Sequence, residues 1–148
     1  MELISEIGNG PLALDTVVFI DFIEEHPRYL PVLDPVFAAI DKERLRAIAS
    51  SLTLLEVLVV PYRAGSIPLA ERYEQVLTRS RGLRLVDIDR TQLRAAAQLR
   101  ALHPGLRTPD AIQIAAALSG GCTVLLTNDR ELPLVPGLRI LQLRDFAA

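Results

Sequence analysis

The pattern of apolar and polar positions predicts strands and helices that alternate along the chain. Five short, mainly apolar segments predict strands; these are Leu12 to Asp15, Leu45 to Ser50, Leu83 to Ile88, Cys122 to Thr127 and Leu138 to Leu143. Longer segments with polar residues on one helical face predict helices; these are Val17 to Glu25, Pro35 to Lys42, Pro68 to Arg79, Thr91 to Leu102 and Thr108 to Ser119. Such alternation predicts an α/β sandwich with a mostly parallel sheet.

Local signals support several of these boundaries. The segment Gly8 to Pro11 is typical of a turn before the first strand. Asp89 is placed to cap the helix that starts near Thr91. Thr108 is the predicted N-cap of the next helix, with Pro109 at its first position, and Gly120-Gly121 predicts its end. The segment Leu52 to Arg63 fits a helix or a strand by pattern alone.

Length and composition predict one globular domain over residues 1–148. Half of the residues are hydrophobic and 23% are charged, which argues against a disordered chain. The net charge of −2 argues against binding nucleic acid by bulk attraction. Residues 1–74 carry a net −6 and residues 75–148 a net +4. All but one of the 16 basic residues are Arg, which suits phosphate contacts but also follows from high-GC coding bias.

The lone cysteine and the hydropathy profile predict a cytoplasmic protein without a membrane span. Cys122 lies in an apolar run and is predicted to be a small core residue; a chain without disulfides suits a reducing cytosol. A signal peptide would begin with basic residues followed by an apolar core, and this pattern is not found. The most apolar segment, LTLLEVLVV, is interrupted by Glu56 and is too short to span a bilayer.

Four carboxylates occur in strongly apolar surroundings. They are Asp15, Glu56, Asp110 and Asp129. An ionised acid that loses its hydration needs a partner, which can be an arginine, backbone N–H groups or a metal ion. Asp15 and Asp129 end predicted strands, and Asp110 lies in the first turn of a helix. Because ligands collect at the carboxyl ends of parallel strands, at least three of the four acids are expected to face one edge of the sheet.

Each acid also has a purely structural explanation when it is taken alone. Asp15 can begin a helix, and Thr53-x-x-Glu56 matches a capping box. Asp110 suits the start of a helix, and Asn128-Asp129 suits a turn. As a cluster, however, the acids would raise one another's pKa unless a cation neutralised them, and oxygen ligands predict Mg²⁺ or Mn²⁺.

Other chemistries lack their residues. The two histidines each precede a proline, and a single cysteine leaves no zinc ligand set. There is no GxxxxGK phosphate loop and no GxSxG nucleophile motif. A receiver-like phosphoacceptor domain would need a lysine late in the sheet, and the only lysine is Lys42.

The order and context of the four acids resemble the PIN domain family, and within it the VapC-like ribonuclease toxins of toxin–antitoxin pairs. Four blocks carry the resemblance, which spans about Leu12 to Leu143; they are ALDTVVFIDFIEEHP, SSLTLLEVLVVPYRAG, LRTPDAIQIAAAL and TVLLTND. The third block, followed closely by TND, is the most specific.

The resemblance implies a three-layer sandwich in which helices flank a five-stranded parallel sheet, with Leu52 to Arg63 as a helix. It implies a metal-dependent endoribonuclease that holds Mg²⁺ or Mn²⁺ with all four acids and cleaves RNA by metal-activated water. The implied partners are an antitoxin and a second copy of the chain. A flap-type DNA nuclease would need long helical insertions, for which 148 residues leave little room.

Five further residues are candidates for supporting roles. Thr16, Thr127 and Asn128 can bond to the cluster or its waters, and Arg107 and Arg130 are candidate phosphate clamps, although both also suit a solvated surface.

Val17 and Asp21 are two residues near the predicted site that do not support it. Val17 stands where the family usually has a small polar residue. This departure supports the alternative of a non-catalytic PIN-like module that binds RNA or protein. Asp21 shares a predicted polar helix face with Glu24, Glu25 and Arg28, is expected to be solvated and is left outside the site.

Overall fold

Five short strands form one parallel sheet in the computed structural model, which describes residues 2–148. The strands are Leu12–Leu14 (β1), Ala47–Ser50 (β2), Leu83–Val86 (β3), Val124–Thr127 (β4) and Arg139–Gln142 (β5). Their order is β3-β2-β1-β4-β5, and all four neighbouring pairs run parallel. The central strand β1 pairs Ala13 with Ile48 on one side and Leu14 with Leu126 on the other. The predicted five-stranded parallel sheet is confirmed.

The connections between the strands are helical. The helices are Leu3–Ile7 (α1), Thr16–Ile23 (α2), Leu30–Asp41 (α3), Ser51–Arg63 (α4), Ile67–Arg79 (α5), Arg90–Leu102 (α6) and Thr108–Ser119 (α7), and a 3₁₀ turn follows at Leu143–Asp145. The ambiguous segment Leu52 to Arg63 is a helix, as the resemblance implied. The pattern missed α1, and it began α3 at Pro35 although that proline lies inside the helix.

The two faces of the sheet pack against different helices, which makes three layers. One core joins the sheet to α1–α5 and includes Phe19, Phe37 and Leu126. The other core joins the opposite face to α6 and α7 and includes Ile114 and Leu125. Adjacent leucines of β4 therefore enter different cores, because successive strand residues point to opposite faces. Burial on both faces explains why the three inner strands β1, β2 and β4 are apolar runs.

Two predicted helix caps are wrong and one is confirmed. Arg107 occupies the N-cap of α7, so Thr108 is already helical and Pro109 is its second residue. Ser50 caps α4 by accepting a hydrogen bond from the Leu52 amide at 3.2 Å. Because α4 starts there, Thr53 lies within the helix and the proposed capping box with Glu56 does not form. The Asp89 side chain does cap α6, accepting from the Gln92 amide at 2.8 Å.

Asp21 is buried, contrary to the prediction that it is solvated. Only 8% of the residue is exposed, because α2 packs against α3, α4 and α5 as well as the sheet. A helical pattern identifies a polar face but not the neighbours that cover it. Burial raises the pKa of Asp21, the nearby His26 opposes this, and the nearby Glu24 adds to it.

Cys122 is a core residue, as predicted. Its side chain is buried, and burial raises the pKa of the thiol to about 11. Among residues 2–148, no helix is both long and apolar enough to cross a bilayer. The single domain expected over residues 1–148 stays a prediction.

The close approach of Gly82 to α3 predicts a steric effect on stability. A Cβ at this position would lie 2.1 Å from the carbonyl oxygen of Ile40, so the backbone must move. We expect Gly82→Ala to destabilise the fold by about 1–3 kcal/mol, as overpacking usually does, in urea unfolding. Gly105→Ala is the control, because nothing lies within 4 Å of its Cβ. An equal effect of the two substitutions would contradict this packing.

Candidate active site

The four acids singled out in the sequence line one cleft of about 500 Å³ at the carboxyl-end edge of the sheet. Asp15 directly follows β1 and caps α2. Glu56 lies in the second turn of α4, Asp110 in the first turn of α7, and Asp129 two residues beyond β4. The carboxyl ends of parallel strands meet at one edge, so the topology itself brings these segments together.

Asp15 is the most constrained acid of the cleft. Its Oδ1 accepts a hydrogen bond from the Thr16 amide at 2.8 Å, and its Oδ2 accepts one from the Thr127 hydroxyl at 2.7 Å. Burial raises the pKa of Asp15; the hydrogen bonds from Thr127 and Thr16 oppose this, and the charges of Asp110 and Glu56 raise it further. The carboxylate is thus held in place by two donors, and none of the ion pairs formed among residues 2–148 includes it.

Glu56 is fixed by hydroxyl and amide groups. Its Oε1 accepts a hydrogen bond from Thr16 Oγ1 at 2.8 Å and a longer one from Gln113 Nε2 at 3.4 Å. Gln113 also donates to Thr53 Oγ1 at 3.0 Å, and the hydroxyl oxygens of Thr53 and Thr16 lie 3.0 Å apart. This network ties α2, α4 and α7 together behind the cleft.

Neither Gln113 nor Thr53 was predicted from the sequence to belong to the site, since Thr53 was considered only as a helix cap. Both are buried, and each lies three residues from an acid of the site on the same helix, Gln113 after Asp110 and Thr53 before Glu56. Residues three apart share a helix face. A polar residue at this spacing within an otherwise apolar helix was therefore the available signal.

Asp110 forms an ion pair across the first turn of α7. Its Oδ2 lies 3.1 Å from Nε of Arg107. The Arg107 side chain is 74% exposed and also lines the cleft. The structure therefore places this arginine at the mouth of the cleft, where it contacts an acid and solvent together.

Asp129 and Asn128 lie in a turn that is held by side chains. The Asp129 amide donates to Thr127 Oγ1 at 3.1 Å, and Asp129 Oδ1 accepts from the Glu131 amide at 2.9 Å. Asn128 lines the cleft, and its Oδ1 accepts from the amide and Nε of Arg144 at 3.0 and 3.2 Å. The expected turn is present, and its residues also form one wall of the cleft.

Arg130 is the candidate that the fold does not bring to the cleft. Its Nη2 lies 2.9 Å from Oδ1 of Asp145, and it is not among the lining residues. Val17 does line the cleft. The polar contacts there come instead from the hydroxyls of Thr16 and Thr127, which bond to Glu56 and Asp15.

The donor set fits a hard divalent cation. Every acid in the cleft offers carboxylate oxygen, the ligand that Mg²⁺ and Mn²⁺ favour. Burial is the main cause of the raised pKa of Asp15, and a cation would relieve the repulsion from Asp110 and Glu56 that adds to it. In the described part of the chain, no three acidic, histidine or cysteine side chains lie close enough together to form a ready-made cation site. The fit therefore rests on donor chemistry and charge.

Comparison with known proteins identifies the family. The family model of the PIN domain matches residues 12–138. The chain therefore belongs to the PIN domain family. A search of curated proteins finds no match.

Solved structures of toxin–antitoxin systems share the fold. DNA-bound VapBC from Salmonella typhimurium has 26% identity and a TM-score of 0.64, over 89% of this chain and 97% of that one. VapBC2 from Rickettsia felis, bound to a promoter DNA fragment, has 18% identity and a TM-score of 0.66, over 88% and 97%. VapC20 from Mycobacterium tuberculosis, a toxin that cleaves the sarcin–ricin loop, has 14% identity and a TM-score of 0.66, over 81% and 91%.

The half-buried carboxylate of Asp15 predicts a pH-dependent stability difference. An acid whose pKa is raised in the folded state favours folding below its unfolded pKa of about 3.9, and this advantage is lost as the pH rises through the folded pKa. In metal-free buffer at a pH above the folded pKa of Asp15, the Asp15→Asn protein should therefore melt at a higher temperature than the parent. Below the unfolded pKa of about 3.9 no such increase is expected.

Asp89→Asn is the matched control, because Asp89 also caps a helix through one oxygen. It lies outside the cleft, so we expect its melting temperature to follow that of the parent across the pH range. An Asp15→Asn protein that melts below the parent at neutral pH would contradict the burial cost.

Proposed function

We propose that the protein is a Mg²⁺- or Mn²⁺-dependent endoribonuclease and the toxin of a toxin–antitoxin pair. The observation that carries the proposal is the convergence of Asp15, Glu56, Asp110 and Asp129 on one cleft. Membership of the PIN domain family and the shared fold of VapC20, a toxin that cleaves the sarcin–ricin loop, support the same reaction.

In this proposal Asp15 and Asp110 are the main cation ligands, and Glu56 and Asp129 complete the set directly or through water. When bound, such a cation lowers the pKa of water and offsets negative charge on the phosphate that is cleaved. The products would carry a 5′-phosphate.

The remaining polar residues position the acids. Thr16 and Thr127 hold the Asp15 carboxylate through its two oxygens, and Thr16 and Gln113 hold Glu56. Asn128 contributes to the wall of the cleft. Since rigid donors reduce the reorganisation needed at the moment of reaction, these neutral groups keep the acids in place without neutralising them.

Arg107 is the candidate phosphate contact. Its guanidinium is exposed at the mouth of the cleft and can exchange Asp110 for a phosphate oxygen without crossing the protein. Arg130 is a weaker candidate, because it is engaged by Asp145 outside the cleft.

The proposed partners are an RNA substrate, an antitoxin protein and a second copy of the chain, in the cytoplasm. The solved structures from Salmonella typhimurium and Rickettsia felis are toxin–antitoxin assemblies on DNA, which supports an antitoxin partner here. A short upstream reading frame that encodes a DNA-binding domain and a flexible tail would fit this proposal.

Charge removal at Asp15 provides the test of activity. Asp15→Asn keeps the size of the side chain and an acceptor for the Thr16 amide, and we expect RNA cleavage with Mg²⁺ or Mn²⁺ to fall by at least a hundredfold. Asp89→Asn makes the same change at a helix cap outside the cleft, and its rate should equal that of the parent. Cleavage by Asp15→Asn at the rate of the parent would contradict the assignment. If the parent itself does not cleave RNA, the result favours the non-catalytic module.

A second test measures cation binding without activity. Mn²⁺ at a hundredfold excess over its Kd should stabilise the parent by about 2.7 kcal/mol. Asp110→Asn removes a proposed ligand, and a tenfold loss of affinity would leave about 1.4 kcal/mol at the same concentration. The measurement is urea unfolding with and without Mn²⁺, with Asp89→Asn as the control. Equal stabilisation of Asp110→Asn and the parent would show that Asp110 is not a ligand.

A further inference from the structure

A second polar cavity, of about 420 Å³, lies at the edge of the sheet opposite the cleft. Its lining comes from segments that precede strands, namely Pro11 before β1, Arg46 before β2 and Arg81 before β3, and from Arg84 at the start of β3. The strands β2 and β3 are four residues long, so the two edges are separated by about 13 Å of strand. We name this cavity the arginine pocket; it shares no residue with the cleft.

Three of the nine residues that line the arginine pocket are arginines, and only one is acidic. The acid is Glu43, which is exposed. Among residues 2–148, the carboxylates that lie within ion-pair distance of arginine engage Arg107, Arg130 and Arg139, and none engages Arg46, Arg81 or Arg84. Unpaired arginines are common on surfaces, but three of them around one concavity leave a net positive charge of about two that the fold does not neutralise.

The backbone that carries these arginines is held in place by tight packing. The carbonyl of Arg46 accepts a hydrogen bond from the Leu12 amide at 2.9 Å, and the carbonyl of Gly82 accepts one from the Ala47 amide at 2.9 Å. Gly82 lies against α3, where a Cβ would meet the Ile40 carbonyl oxygen. The arginine side chains therefore project from backbone positions that are fixed by the sheet.

The shape and charge of the pocket suit a phosphate group. A guanidinium presents N–H donors in a planar fork that matches two phosphate oxygens, and it keeps its charge at all physiological pH values. A carboxylate ligand would also be attracted by the positive charge, but it offers two oxygens rather than three or four. Ile48, which pairs with Arg84 across the β2–β3 register, supplies a buried apolar side chain to the lining.

We propose that the arginine pocket binds the phosphate group of a phosphorylated ligand through Arg46, Arg81 and Arg84. The phosphate can belong to a free phosphate compound or to the backbone of an RNA. This site goes beyond the proposed nuclease function, because it uses neither the cleft nor its acids.

The test is calorimetric titration of the full chain with pyrophosphate at low ionic strength, since screening weakens exposed charge contacts. We expect saturable binding with one ligand per chain by the parent. The double variant Arg46→Gln, Arg84→Gln should lose at least tenfold in affinity, while Arg94→Gln, an exposed arginine of α6 outside the pocket, should bind as the parent does. Equal melting temperatures will show that the variants fold.

A second arm distinguishes the source of the phosphate. For this arm Asp15→Asn, which we expect to abolish cleavage, is added to the parent, to the double variant and to Arg94→Gln. Each protein is titrated with a short RNA that carries 2′-O-methyl groups. Loss of affinity for this RNA in the double variant assigns the pocket to an RNA backbone, whereas loss confined to pyrophosphate assigns it to a free phosphate compound. If the double variant binds both ligands as Arg94→Gln does, or if the parent binds neither, the proposal is wrong. Both arms are independent of RNA cleavage, so a failed nuclease assay leaves this result interpretable.

Discussion

The partial burial of one carboxylate, Asp15 at the end of the central strand, is the constraint on which the site depends. Asp15 follows β1, which lies between β2 and β4, so its oxygens meet groups from several elements. The start of α2 supplies one donor and the end of β4 supplies the other. Neither donor carries a full charge, so burial and the neighbouring acids still raise the pKa of this carboxyl. The fold thus builds a position that is costly for an anion unless a cation joins it.

The groups around the other acids follow the same logic. Glu56 is held by Thr16 and Gln113, which are neutral. Among the residues that the structure describes, Arg107 is the only basic one in the lining of the cleft. Because that arginine is largely exposed, its charge is screened by solvent and contributes little to the stability of the ion pair. Neutral hydrogen bonds orient the acids, while the negative charge stays available to a ligand. This separation of orientation from neutralisation is what a cation-binding cleft requires.

The sheet and the convergence of Asp15, Asp110 and Asp129 could be predicted from local pattern and parallel topology. The helix that carries Glu56 followed only from the family resemblance. Apolar runs set the strands, and strands that run parallel bring their carboxyl ends to one edge. The contacts among Thr53, Gln113 and Thr16 could not be predicted, because they require the relative rotation of three helices. Asp21 was misjudged for a related reason, since a helical pattern does not reveal which neighbours cover a face. The N-cap of α7 was misplaced by one residue, because a threonine beside a proline suits either position.

The proposed function depends on one claim, that the acidic cleft is a divalent cation site. The most direct test is a crystal soaked in Mn²⁺, with diffraction data collected near the manganese absorption edge. The account predicts an anomalous peak in the cleft within coordination distance of Asp15 and Asp110. No peak at saturating Mn²⁺ in a crystal where the cleft is open to solvent, or a peak confined to another surface, would contradict it.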